Sequence, residues 1–177
     1  MNPTLAALLA VFSTWNPPAT AHRVGQPGRR RVIGLAVAAA IGVVLALGGD
    51  RLVDLLGVSA PTFRTAAGVV VAATGVVDLV RRPGSPADDG QGQDIGRLAD
   101  GVVAGLGPGP VFAATAAGID VGWLIAGLGV LGAAAVTAWW LTRRRAAGTV
   151  TGWLIRSIGG VAVLAGVVMI IDGVSTV

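Results

Sequence analysis

The sequence predicts an all-α polytopic membrane protein of six transmembrane helices, arranged as two inverted three-helix repeats. Three observations carry this: a charge-poor apolar composition, arginines confined to alternate loops, and a match of the chain to itself at an offset of 92 residues. Of 177 residues, 54% are hydrophobic and 12% charged, with a mean hydropathy of +0.77. Ordinary soluble domains carry roughly 25% charged residues. All 13 basic residues are Arg and all 9 acidic residues Asp, so the formal +4 comes from arginines set between apolar runs. That pattern belongs to membrane topology and not to a nucleic-acid surface. With no Cys and a single His, His22, disulfides, thiol chemistry and a histidine metal cluster are excluded, and no cofactor is implied.

A spanning helix needs about 20 mostly apolar residues. The first candidate covers 4–22; it has no basic residue before Arg23 and so lacks the charged start of a signal peptide, and it is expected to be part of the mature first helix. The second, 32–49, is uncharged throughout, and the third, 59–80, carries Arg64 and Asp78. The fourth, 98–119, contains the run GLGPGPVF, the fifth, 121–142, has Asp120 just before it, and the sixth, 153–175, carries Arg156 and Asp172 near its ends. Between the third and fourth, RRPGSPADDGQGQDIGR has the Gly, Pro and Asp content of a flexible linker. The expected division is residues 1–82 as one repeat, 83–96 as a cytoplasmic linker and 97–177 as the other.

Arginine sorts the loops. Arg23 and Arg29 to Arg31 precede the second helix, Arg81, Arg82 and Arg97 precede the fourth, and Arg143 to Arg145 precede the sixth. The alternate loops hold only Arg51 beside Asp50 and Asp54, and Asp120, so the positive-inside rule places both termini outside a plasma membrane. Trp123, Trp139, Trp140 and Trp153 fall at predicted helix ends, where indoles anchor at headgroups.

At the offset of 92, Asn16-Pro17-Pro18 falls on Pro108-Gly109-Pro110, and Arg64-x-x-x-Gly68 falls on Arg156-x-x-x-Gly160. Three helices per half is an odd number, so the halves cross in opposite senses, a recurrent build of secondary transporters. A proline within a helix removes a donor and clashes with the carbonyl four residues back, and an adjacent glycine lets the backbone unwind. In hydrocarbon such a break survives only when buried in protein or lining a wet cavity. Two matched breaks would meet near the pseudo-twofold axis, with peptide N–H groups and helix dipoles for an anion and freed carbonyls for a cation or water. A simple kink in each helix is the bland alternative.

These same stretches resemble the MarC family of six-helix membrane proteins, relatives of the LysE-type amino-acid exporters. Asn16-Pro17-Pro18-Ala19 matches part of that family's first-helix motif, with Ala19 in place of a glycine and His22 in place of a later proline. Gly107-Pro108-Gly109 matches its fourth helix, Phe63-Arg64-Thr65-Ala66-Ala67-Gly68 the start of its third, and Arg156-x-x-Gly159 with Asp172-Gly173 its last. The resemblance spans the chain and implies a transporter fold with both termini outside, exporting small neutral amino acids in some members.

The substrate-binding candidates are therefore Asn16, Pro17, Pro18, Gly107, Pro108, Gly109 and Pro110. Asn16 can orient a substrate or merely cap the half-helix that follows. Thr14, Thr20 and Thr115 are expected to bond back to their own helices. Arg64 and Arg156 can bind a carboxylate or pair with aspartates; the competing reading has each snorkel to the headgroups. Asp78, Asp100 and Asp172 are candidates for proton coupling, weighed against solvation at helix ends, and Asp100 is preferred because it shares a helix with GPGP. His22 is expected to mark the cytoplasmic interface. Gly101, Gly105, Gly109, Gly118 and Gly122, spaced by four within each group, suggest that the fourth helix is central.

The expectation is a secondary transporter exporting a small neutral amino acid or similar metabolite by alternating access, coupled to protons or Na⁺ since no GxxxxGK[ST] run occurs. A non-transporting membrane scaffold and an ion channel or exporter are the rivals. No nucleophile–base pair suggests an enzyme. A homo-oligomer is compatible with so small a unit, although no seam identifies its interface.

Overall fold

The structure is a computed structural model that describes residues 3–24, 29–80, 102, 105–142 and 149–176. Every regular element among them is an α-helix: α1 Pro3–Trp15, α2 Pro17–Val24, α3 Arg29–Leu56, α4 Ala60–Val80, α5 Pro108–Val121, α6 Trp123–Thr142 and α7 Thr149–Ser175. Four stretches are continuous and apolar enough to cross a membrane, Val32–Leu56, Ala60–Val80, Trp123–Leu141 and Thr151–Ser175. The first predicted crossing is split into α1 and α2, of 13 and 8 residues. Of the fourth, the described part is residues 102 and 105–119, with α5 starting only at Pro108; the linker 83–96 lies outside the described residues.

The second helix is longer than its uncharged run. Asp50, Arg51 and Asp54, expected in a loop after residue 49, belong to the last turns of α3 and are exposed there. Hydropathy marks where a helix leaves hydrocarbon, whereas backbone chemistry marks where it stops. Here the stop is Gly57 at φ +64: its N–H donates to Asp54 O (3.1 Å) and that of Val58 to Val53 O (3.2 Å), a Schellman closure. Ser59 then caps α4, its Oγ accepting the Thr62 N–H at 3.4 Å, with Pro61 in the first turn where no N–H is needed. Because a Cβ at Gly57 meets nothing within 4 Å, Gly57→Ala tests left-handed strain alone. We expect a loss of about 1 kcal/mol, read as a lower Tm in detergent, and an unchanged Tm would refute the assignment.

Small residues line the contacts and large ones face outward. The core is mostly alanine, with Ala10, Ala21, Ala38, Ala67, Ala113, Ala126 and Ala133 nearly inaccessible, while Val44, Leu55, Leu128, Leu164 and Ile171 are more than 60% exposed. This polarity is that of a bundle whose outer surface meets lipid.

The closest pair is α4 with α7, running antiparallel. Pro61, Gly68 and Gly75 on α4, seven apart, face Gly173, Gly166 and Gly159 on α7, also seven apart. A Cβ built on Gly68 would stand 2.6 Å from Gly166 O, and one on Gly75 2.5 Å from Gly159 O, so peptide planes touch directly. A seven-residue spacing keeps the glycines on one face along the crossing.

The second close seam is α3 with α5, where a Cβ on Gly49 would lie 2.8 Å from Thr115 O and Gly118 abuts the Ala46 backbone. Phe63 of α4 stacks on Phe112 of α5 at 5.7 Å. With α1, α3, α4 and α6 all packed on it, and Ala113 to Gly118 buried, α5 is central. Gly122 takes no part in packing; it has φ +83 in open space and separates α5 from α6.

Candidate functional site

Trp15-Asn16-Pro17-Pro18 divides α1 from α2. Pro17 and Pro18 have no N–H, so the carbonyls of Ser13 and Thr14 lose their helical donors, and proline disfavours helical backbone at the residue before it. Asn16 takes up the turn at φ +39, a left-handed conformation that Asn tolerates better than most residues. Its backbone still bridges the kink, with Asn16 N–H donating to Phe12 O (3.1 Å) and Thr20 N–H donating to Asn16 O (2.9 Å).

The side chain of Asn16 does two further things. Oδ1 accepts the Ala19 N–H at 3.4 Å and so caps α2. Nδ2 donates to Asp78 Oδ2 at 2.8 Å and to Ile155 O at 3.2 Å, tying the break to α4 and α7. Asn16 is 0% and Asp78 2% exposed, so this is a buried junction. Asp78, expected at a solvated helix end, is instead buried, bonded by Asn16 and close to Gly159 of α7. At the N-terminus of α2 the first two positions are prolines and the third N–H is already taken, so none of these three positions offers a free N–H to an anion.

The second break is built differently. Leu106 N–H donates to Val102 O (2.8 Å), after which the chain leaves helical geometry at Gly107 (φ −55, ψ 159). Pro108 and Pro110 are the first and third residues of α5, positions where a helix lacks an acceptor for an N–H in any case. The prolines thus start a helix, and Gly107 is the interruption. Of Pro108, Gly109 and Pro110, the first three residues of α5, only Gly109 retains an N–H. Pro108 is exposed, Gly107 half-buried, and Gly109 and Pro110 buried.

One turn of α4 receives both breaks. Asn16 bonds Asp78, and a Cβ on Gly109 would stand 2.6 Å from Thr74 Oγ1, four residues earlier on the same face. Trp15 adds a direct link: a Cβ on Gly105 would lie 3.5 Å from its Cζ2. The junction lies in the last two turns of α4, nearer the end leading to Arg81 and Arg82 than to midspan.

Arg64 occupies the opposite end of α4. Its Nε donates to both carboxylate oxygens of Asp120 (3.0 and 3.1 Å), its Nη2 also bonds Asp120, and Nη1 donates to Asp172 Oδ2 at 2.8 Å. The snorkelling reading therefore gives way, for Arg64, to a forked ion cluster joining α4, α5 and α7. Arg156 differs: it is exposed and has no ion pair among the described residues. Asp100 lies outside the described residues, as does the side chain of His22.

Two of the three hydroxyls bond back within their own helices as expected, whereas Thr20 of α2 reaches across the break to the last residue of α1. Thr14 Oγ1 donates to Ala10 O (2.6 Å), Thr115 Oγ1 to Val111 O (2.9 Å) and Thr20 Oγ1 to Trp15 O. Three features of the junction escaped the sequence reading, in which Asp78 is only a candidate for proton coupling. Asp78 as the partner of Asn16 is 62 positions away with no local signal, Thr74 is visible only through packing, and Trp15 was hidden in an apolar run.

The described residues thus form an all-helical bundle whose four long apolar helices suit a membrane-embedded protein, with two interrupted segments meeting on one helix face. No protein-family model matches it, and neither a curated protein nor a solved structure does.

Proposed function

We propose that this protein is a secondary transporter of the cell membrane that exports a small neutral amino acid or similar small metabolite by alternating access. The observation that carries the reading is the convergence of both interrupted segments on Thr74 and Asp78 of α4. Irregular backbone at membrane depth is costly unless it faces protein or a wet site, and paired breaks at one place are the arrangement in which transporters hold substrates.

In this reading the chain makes six crossings in two inverted halves, with both termini outside and a proton or Na⁺ gradient as driver. The resemblance to the MarC family points the same way. Carbonyls of Ser13 and Thr14, left without helical donors by Pro17 and Pro18, supply acceptors for a substrate ammonium. The Arg64 cluster would close the outer end, about 20 Å along α4 from Asp78 at 1.5 Å per residue.

The test is exchange of labelled alanine, glycine and serine into liposomes preloaded with the same amino acid. Saturable exchange is expected for the wild type and its loss for the Asn16→Ala, Pro108→Ala double variant that remains monodisperse. Folded wild-type protein that exchanges none of them would defeat the amino-acid reading and favour a non-transporting membrane partner or an ion pathway.

A further inference from the structure

Buried side-chain polar atoms in a folded bundle are paired, and an exception calls for a reason. Among the described residues the one buried side-chain N or O atom without a partner is Nε1 of Trp15, whose residue is 2% exposed. The other polar side chains at the first break are all satisfied. Ser13 and Thr14 donate to Ala10 O, Thr20 donates to Trp15 O, and Asn16 is bonded through both Nδ2 and Oδ1. The orphan is also well placed. Cζ2, the ring carbon next to the one bearing Nε1, is the atom of Trp15 nearest Gly105, while Cζ3 on the other edge faces Gly42 of α3. Nε1 therefore lies on the side of the ring nearer the segment that enters the second break.

An indole N–H can only donate, so whatever satisfies it is an acceptor. Three residues past Gly105 begins α5, whose positive end favours an anionic acceptor over a neutral one. We propose that Trp15 Nε1 is the donor that binds the carboxylate of the transported molecule between the two breaks. Substrates then need a carboxylate, and the corresponding amides and amines are rejected. The inference rests on the transporter reading and adds to it the group recognised and the residue that recognises it.

Trp15→Phe keeps an aromatic ring and removes the N–H. In proteoliposomes its KM for exchange of a carboxylate substrate should rise roughly ten- to hundredfold, the loss expected for one hydrogen bond to a charged group, with the maximal rate much less affected. A second measurement leaves Trp15 in place. Trp123, Trp139 and Trp153 are about half exposed or more, so a variant with Phe at these three and at Trp140 isolates one indole. With ¹⁵N-labelled tryptophan, its N–H resonance should move on adding alanine and stay still on adding alaninamide.

The outcomes separate the two readings. If the wild type exchanges no carboxylate substrate, the transporter reading falls and this inference with it. Should the wild type exchange substrate while Trp15→Phe keeps its KM within twofold, or should the single indole respond equally to alanine and alaninamide, only the carboxylate assignment to Trp15 is overturned.

Discussion

Gly166→Val should cost the protein most of its folded, monodisperse population. A Cβ at Gly166 would stand 2.5 Å from Gly68 O and 2.6 Å from Ala72 N, both backbone atoms of α4. Side chains can rotate away from an intruder, but a peptide plane moves only with its helix. The α4–α7 pair would have to separate along a seam held by glycines at every seventh residue. Overpacking typically costs about 1–3 kcal/mol, and a clash with rigid backbone on two sides belongs at or above the top of that range. Gly160→Val on the same helix is the control, since a Cβ there meets nothing within 4 Å and the change in helix propensity is the same. Thermal stability in detergent followed by size exclusion should show a drop of roughly 6–12 °C or more for Gly166→Val, taking about 3 kcal/mol at roughly 2–4 °C per kcal/mol at this size. Equal losses at both positions would mean that helix propensity, not the seam, sets the effect.

The seam also indicates what a sequence reveals and what it withholds. Apolar runs located α3, α4, α6 and α7 because hydrocarbon burial is a property of each segment alone. The end of α3 was missed by seven residues because Asp50, Arg51 and Asp54 signal water, while the actual stop is a left-handed glycine. Both interruptions were legible, since proline acts on its own backbone, yet their character was not. Asn16 breaks a helix by turning left-handed, whereas Pro108 and Pro110 simply begin one.

Partnerships across the bundle are another matter. Nothing local distinguishes Asp78, bonded by Asn16 and packed against Gly159 of α7, from an aspartate at a wet helix end. The same holds for the glycines at 159, 166 and 173: their spacing is visible in the chain, but it acquires meaning only once Pro61, Gly68 and Gly75 are seen opposite. The offset of 92 paired Arg64 with Arg156, and their surroundings differ: Arg64 bonds two aspartates while Arg156 stands exposed.

That difference makes Arg64 the second site of large effect. In Arg64→Ala, Asp120, whose side chain is only 15% exposed, loses a forked partner and keeps a negative charge in a setting that water barely reaches. Removing one member of a buried ion pair costs about 3–5 kcal/mol, and with the guanidinium itself 20% exposed the expected loss here is lower, about 2–3 kcal/mol. Asp172 contributes little to this figure, being 58% exposed and screened by solvent. If the cost is the stranded charge, adding Asp120→Asn to Arg64→Ala should recover more than half of it. Loss of packing by the arginine stem alone would leave the double variant as unstable as the single one. Arg156→Ala should change the Tm by no more than a degree or two. Arg64→Lys is the finer probe, because a lysine supplies one point of charge where Nε and Nη2 grip Asp120 together and Nη1 reaches Asp172. It should fall between wild type and Arg64→Ala; were it to match the wild type, charge alone would hold this end of the bundle together and the fork would be incidental.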